Sequence, residues 1–367
     1  MVLPRFMAFN LTIVLCVLGV VVALYASMIC LPHHVHRALP FLLRKEHEHI
    51  PQVPAVHRIT CFTNCQTGNV LCQVATTLAM ARRWNMTATF PTLRHNQTFN
   101  VSGYRVPFLS PTFLPLLTQN NVRLQATLWR HLPTDDFVPS FYYLHGTIWT
   151  CFAHRPLPDL AHHTDGLCLV GWFLSFRYFE DMQSSLQRLF GPPVAERARL
   201  LQAYGLAGDD CVSVSMHVRR NDILNPWNAS IVLGAFYYDR AVQTVMDRVP
   251  PHKRLVFVVC SDEIAYVRQH WKEQYGGHLL PPSASVRFSH ESDALADLHL
   301  MSLCDHHIVA NSSFSGWSAF LAKPHADKII TCPDRMSRHI AGLRPPFEVF
   351  PEHWTVLPAL PETDAQQ

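Results

Sequence analysis

Charge is scarce in this chain. Asp, Glu, Lys and Arg make up 16% of its 367 residues, and the formal net charge is only +3. That charge is small and diffuse. A nucleic-acid partner calls for a clustered basic face, so that class is excluded. Internal repeats and long low-complexity tracts are also missing, and 49% of the residues are hydrophobic, which excludes a disordered chain and predicts a large core in two α/β lobes. No charged residue lies between Arg5 and Arg37. Within that gap Leu11 to Leu31 is almost wholly apolar, and as a helix it spans roughly 30 Å, the thickness of a bilayer core. The run is longer than a signal-peptide core and no convincing small-x-small cleavage site follows, so an uncleaved anchor is predicted at 11–31 after a tail at 1–10. Flanking charge leaves orientation open, because Arg5 precedes the run and Arg37, Arg44 and Lys45 follow it. An Arg- and Ser-rich amphipathic presequence is absent, which argues against a mitochondrial location, the alternative to a secretory one.

Metal-binding patterns are lacking too. Cys61 and Cys65 have no second closely spaced pair to complete a zinc cage, and no Asp-x-Asp stands at a strand end. Beyond the anchor's Cys16 and Cys30, nine cysteines remain. That odd number leaves at least one thiol free or paired between chains if the others are oxidised. Cys211, Cys260 and Cys304 fall in apolar patterns and read as small core residues. His33, His34, His36, His47 and His49 crowd a segment with Pro32, Pro40, Pro51 and Pro54, which reads as a solvated stem over 32–57.

The globular part then opens with a strand at Arg58 to Phe62 and a helix starting at Gly68-Asn69, with Val70, Leu71, Val74, Ala75 and Leu78 as its apolar stripe up to Arg82-Arg83. A helix is expected after Gly171 to Phe179, ending at Gly191-Pro192-Pro193. From Gly205 the alternation is regular. Strands are predicted at Cys211 to Val218, Leu255 to Val259, Val286 to Phe288 and His307 to Ala310. Helices are predicted at Phe236 to Val249, Glu263 to Tyr275, Ser292 to Cys304 and Phe314 to Ala322. This order predicts a parallel, doubly wound sheet. Asn85, Asn96, Asn100 and Asn228 fit the N-glycosylation acceptor pattern.

The most informative stretch is Met216-His217-Val218-Arg219-Arg220-Asn221-Asp222, which places two guanidiniums and a carboxylate after an alternating strand. In open α/β sheets ligands bind at the carboxyl ends of strands, and the planar guanidinium suits phosphate. The stretch resembles the His-x-Arg-Arg-x-Asp motif of the α1,2-, α1,6- and protein O-fucosyltransferases. Leu169-Val170-Gly171-Trp172-Phe173-Leu174-Ser175-Phe176-Arg177-Tyr178-Phe179 is similar to the Gly-Tyr-Phe-Gln-Ser-x-Lys/Arg-Tyr-Phe segment of the galactoside 2-α-L-fucosyltransferases, glycosyltransferase family 11. So are Asp297 to Val309, followed by Asn311-Ser312-Ser313-Phe314-Ser315-Gly316-Trp317-Ser318-Ala319. Thr67 to Ala75 resembles a degraded Gly-Asn-Gln-x-Phe-Gln-Tyr-Ala, with Val70, Cys72 and Val74 as departures. Asn221 stands where the family has glycine.

That resemblance implies a GT-B-like pair of lobes, an acceptor lobe at 58–204 and a Rossmann-like GDP-fucose lobe at 205–352, with a tail at 353–367. It also implies a Golgi membrane, single-pass type II enzyme that moves fucose from GDP-fucose to a galactose-terminated glycan and needs no cofactor. The middle section from Pro91 to Pro158 would shape acceptor choice. Arg219 would neutralise the leaving diphosphate, while Arg220 would either help or lock the loop against a carboxylate. Asp222 is the nearest candidate base, or orients an arginine. His217 would hydrogen-bond donor or loop, or serve as a satisfied structural histidine. Ser312, Ser313 and Phe314 would bind phosphate through hydroxyls and backbone N–H groups at a helix start, and Asp262 would grip guanine. With arginines holding the diphosphate, no metal is expected. Other readings are fucosylation at another linkage or on a protein, and an inactive glycan-binding membrane protein.

Overall fold

A computed structural model of the chain describes residues 57–61, 67–90, 100–101, 104–105, 141–144, 157–161, 166–208, 210–220, 231–291, 293–336 and 349–361. The predicted tail, anchor and nearly all of the stem lie outside the described residues, as do Asn96, Asn221, Asp222 and Asn228. Among the described residues no helix is long and apolar enough to cross a membrane.

The first sheet is built from β1 (Arg58–Cys61), β2 (Thr87–Ala88), β5 (Phe141–Leu144) and β6 (Leu167–Val170), in the order β2-β1-β6-β5 with every pairing parallel. Between β1 and β2 runs α1 (Thr67–Arg83). Of its predicted stripe Val70, Leu71, Val74 and Ala75 are buried and Leu78 is half-buried, but Cys72, Gln73, Thr76 and Thr77 are buried too, so the helix is covered on nearly all sides. A separate two-stranded hairpin pairs β3 (Asn100–Val101) with β4 (Tyr104–Arg105) antiparallel.

Two helices lead into the second sheet, α2 (Gln183–Phe190) and α3 (Val194–Ala203). The sequence reading stops at the proline pair and misses α3, although Pro193 sits at its amino-terminal cap, where a missing N–H costs nothing. The sheet consists of β7 (Cys211–Val218), β8 (Arg254–Ser261), β9 (Ser285–Phe288), β10 (His306–Ile308), β11 (Ile330–Pro333) and β12 (Thr355–Leu357). They lie in the order β12-β11-β10-β7-β8-β9, all parallel. Counted from β7 this is the 3-2-1-4-5-6 order of doubly wound nucleotide-binding sheets, and its switch point falls between β7 and β10. The expectation of an α/β fold with a parallel, doubly wound sheet is met.

Both faces of this sheet are covered, as a parallel sheet requires. On one, Val214, Met216 and Val218 pack with Tyr237, Ala241 and Val245 of α4 (Ala235–Met246). On the other, Val256, Val258 and Cys260 pack with Leu200 and with Leu300 and Met301 of α7 (Ala294–Ser302). The polar face read in β7 is therefore buried as well, and its groups find partners on β10's side: Ser213 N and Oγ bond Asp305 Oδ2 at 2.9 and 2.7 Å, and Ser215 Oγ lies 2.7 Å from His307 Nδ1.

One predicted helix is corrected. Glu263 to Tyr275 is two short pieces, α5 (Ile264–Gln269) and α6 (Trp271–Gln274). His270 ends the first piece: at φ −106° and ψ 19° it leaves the helical range, its backbone N–H and Nδ1 both meet the Tyr266 carbonyl, at 3.1 and 2.9 Å, and its ring stacks on Tyr266. The final helix, α8 (Ser313–Leu321), has Trp317, Ala319 and Phe320 in the same core as Val70 and Val74 of α1.

Candidate active site

Two strand ends at the switch point carry the site. After β7 come Arg219 and Arg220; after β10 comes the turn Asn311-Ser312 that starts α8. Arg219 Nη1 donates to the Asn311 carbonyl at 3.0 Å, which carries the guanidinium across to the start of α8. The turn is held from below and from within. Asn311 is buried and its Nδ2 donates to the Ile231 carbonyl at 2.7 Å. Ser312 caps α8, its Oγ accepting the Phe314 N–H at 3.3 Å. Ser315 Oγ accepts the Ala310 N–H at 3.2 Å. His217 is buried, with its ring 5.4 Å from the Phe314 ring and its carbonyl bonded by the Tyr238 hydroxyl at 3.0 Å.

A second helix begins at the same place. Ser313 Oγ donates to Asn69 Oδ1 at 2.8 Å, and a Cβ on Gly68 would stand 2.5 Å from Phe314 N. Four residues further along both helices Trp317 Nε1 donates to Cys72 Sγ at 3.1 Å. Contacts that repeat at i+4 on both chains mean that α1 and α8 run in the same direction from a common start. Both positive dipole ends, with first-turn N–H groups that no helix carbonyl can reach, therefore point to one junction beside Arg219. Such an arrangement is suited to an anion.

Arg220 faces the other way. Its Nε bonds Glu263 Oε2 at 3.0 Å, its Nη1 bonds the Tyr275 hydroxyl at 3.2 Å, and its guanidinium carbon lies 3.6 Å over the Tyr266 ring. The side chain is 11% exposed. Burial opposes its charge, yet the Glu263 and Tyr275 bonds hold its pKa above the ordinary arginine value. Asp262 Oδ1 accepts the Arg220 backbone N–H at 2.8 Å, and α5 is capped at Glu263 with no side-chain cap bond. The β7–β8 side of the site is thus a set of mutually bonded charges.

Beneath the ends of β8 and β9 lies Asp297. Its carboxylate takes the Ser289 hydroxyl, and burial pushes its pKa up to about 6. Sequence reasoning gave no role to Glu263, Tyr266, Tyr275 or Asp297. For Asp297 the signal was present, a carboxylate inside an otherwise apolar helix; for the tyrosines there was none, because their relevance depends on where Arg220 turns. Of the glycosylation candidates, Asn85 is exposed and Asn100 lies in β3.

A family model, glycosyl transferase family 11, matches residues 153–340, about half of the chain. The chain belongs to glycosyl transferase family 11. An α-1,2-colitosyltransferase of Escherichia coli is 29% identical over 160 residues, covering 41% of this chain and 50% of the relative. Galactoside α-(1,2)-fucosyltransferase 1 of Rattus norvegicus is 26% identical over 297 residues, covering 78% of this chain and 69% of the relative. The chain's match therefore spans only about half the length of the bacterial family member. Among solved structures, the GDP complex of a FUT1 mutant from Arabidopsis thaliana gives a TM-score of 0.42 at 14% identity, covering 83% of this chain and 76% of that one. The family match covers both strand ends of the switch point, whereas α1, which supplies Gly68 and Asn69, lies before it.

Proposed function

We propose that this family 11 chain is an inverting galactoside 2-α-L-fucosyltransferase, which moves L-fucose from GDP-fucose to the 2-hydroxyl of a terminal galactose and releases GDP. The observation that carries the reading is the meeting of Arg219 with the starts of α1 and α8. As the bond from fucose to the β-phosphate stretches, negative charge grows on the leaving diphosphate. A guanidinium and two helix starts already fixed in place stabilise that charge without reorganising, and one such positioned group typically contributes ~10²- to 10³-fold in rate. The 1,2 linkage is supported by the names of both relatives, one a fucosyl- and one a colitosyltransferase.

In this reading Ser312, Ser313 and Phe314 bind the phosphates, Arg219 is the principal cation and His217 backs Phe314. Arg220 locks the loop through Glu263, as its bonds favour. Asp262, anchored to the same loop, accepts from guanine N1–H and the 2-amino group through its carboxylate. Asp222 is the candidate base. The two sheets form GT-B-like lobes, residues 58–204 for the acceptor and 205–352 for the donor, and the apolar run 11–31 anchors a type II protein in the Golgi membrane. The test is an acceptor screen with GDP-fucose followed by linkage analysis. Transfer to the galactose 2-hydroxyl is expected; a product at another position, or GDP-fucose binding without transfer or hydrolysis, sinks the assignment.

A further inference from the structure

Cys72 belongs to the motif that departs most from its family pattern, at the position where that pattern has phenylalanine. It is fully buried, and burial pushes its thiol up to about 12, so the group stays a neutral S–H. Trp317 is fully buried too, held by a stack on Phe179 at 5.0 Å and by the edges of Phe190 and Phe320. A buried indole N–H needs an acceptor, and a phenylalanine at position 72 has none to offer. The sulfur supplies it. Gly68 and Ser313 stand one turn before these two residues on the same helices, and the Gly68 contact tolerates no added atom.

We propose that Cys72 is a positioning residue, whose sulfur accepts the Trp317 indole N–H and so sets the register in which the starts of α1 and α8 meet. Loss of the acceptor lets the two helices slide by a fraction of an ångström, and Asn69 and Ser313 lose their alignment. The functional consequence rests on the reading of that junction as the diphosphate site.

The test uses the full-length protein and four variants: Cys72→Ala, which removes the acceptor, Cys72→Ser, which keeps one, Trp317→Phe, and the double variant with alanine. Two readouts are followed, amide hydrogen exchange in peptides covering 67–71 and 312–316, and the dissociation constant for GDP by calorimetry. Cys72→Ala is expected to speed exchange in both peptides and weaken GDP roughly tenfold, within the range seen for coupled neighbours. Cys72→Ser should stay within about twofold of the parent, and the double variant should be no worse than the poorer single one. Unchanged exchange in Cys72→Ala overturns the proposal, and so does a serine variant that behaves like alanine, which would make the effect one of volume. If Trp317→Phe does not fold, the alanine–serine pair still decides. If the parent protein binds no GDP, the diphosphate reading fails, while the exchange readout alone decides whether Cys72 sets the register.

Discussion

The two arginines that end β7 are neighbours in sequence and opposites in setting. On the β10 side, Arg219 Nη1 donates to a backbone carbonyl, next to helix starts that carry positive potential. On the β8 side, Arg220 is enclosed by a carboxylate, a phenol and a ring face, with Asp262 holding its backbone. On the β8 side a carboxylate answers the guanidinium, and on the β10 side the guanidinium turns to the carbonyl just before a helix start. Under the proposed function the first of the pair serves the leaving diphosphate and the second braces the loop that carries both. Glu263 keeps 34% of its side chain exposed, so the pair is half-buried and its presence speaks for geometry more than for stability.

Arg219→Lys breaks the β10 side most directly. Lysine keeps the charge and loses the planar fork, so transfer should fall by at least ~10²-fold, about 3 kcal/mol or more of transition-state stabilisation, with an unchanged circular dichroism spectrum. Retention of more than half of the parent's activity would remove Arg219 from the role.

Asp297 tests the β8 side by pH. Its folded pKa of about 6 is raised above the ordinary carboxylate value. The stability it confers is therefore full below the unfolded pKa, near 4, and is lost as pH rises through 6. Asp297→Asn keeps volume and an acceptor for Ser289 without that loss. In urea titrations the variant should match the parent near pH 4 and exceed it by roughly 2–3 kcal/mol at pH 7.5. A parent whose stability does not fall relative to the variant over that range would show that the carboxyl is not held in its neutral form.

Gly68→Ala sharpens the β10 side again. The added Cβ meets backbone at 2.5 Å, which cannot yield as a side chain would. We expect about 1–3 kcal/mol of destabilisation from overpacking and a loss of GDP affinity larger than for any single exposed substitution on α1. Unaltered stability and affinity would mean that the helix starts do not touch.

Much of the second sheet was legible in the sequence because its signals are local. The strand Cys211–Val218 has the bounds that its alternation predicts, and the stripe Tyr237, Ala241, Val245 is wholly buried. The β10 side was legible for the same reason, since a cap serine and a strand-end arginine announce themselves. What escaped is what folding alone brings together. Ile330–Pro333 and Thr355–Leu357 are too short to show a period, and the break at His270 has no Pro or Gly to announce it. The substitutions Val70, Cys72 and Val74 read as erosion of a motif. In the fold all three are fully buried on α1 and one of them bonds α8, a relation across more than two hundred residues that no local pattern reveals.

The smallest expected effect separates the two possible duties of Asp262. As a loop anchor it needs one acceptor oxygen for the Arg220 N–H; as a guanine grip it needs a carboxylate that accepts from two donors at once. Asp262→Ala loses both and should cost about 1 kcal/mol of stability from the missing bond. Asp262→Asn can keep the anchor, since its amide oxygen still accepts, but it offers guanine a donor where an acceptor is needed. The asparagine variant should therefore recover the stability lost in alanine and still show a raised KM for GDP-fucose and weaker discrimination between GDP and other nucleoside diphosphates. Recovery of both properties in Asp262→Asn would reduce Asp262 to an anchor and leave base recognition to other groups on the β8 side.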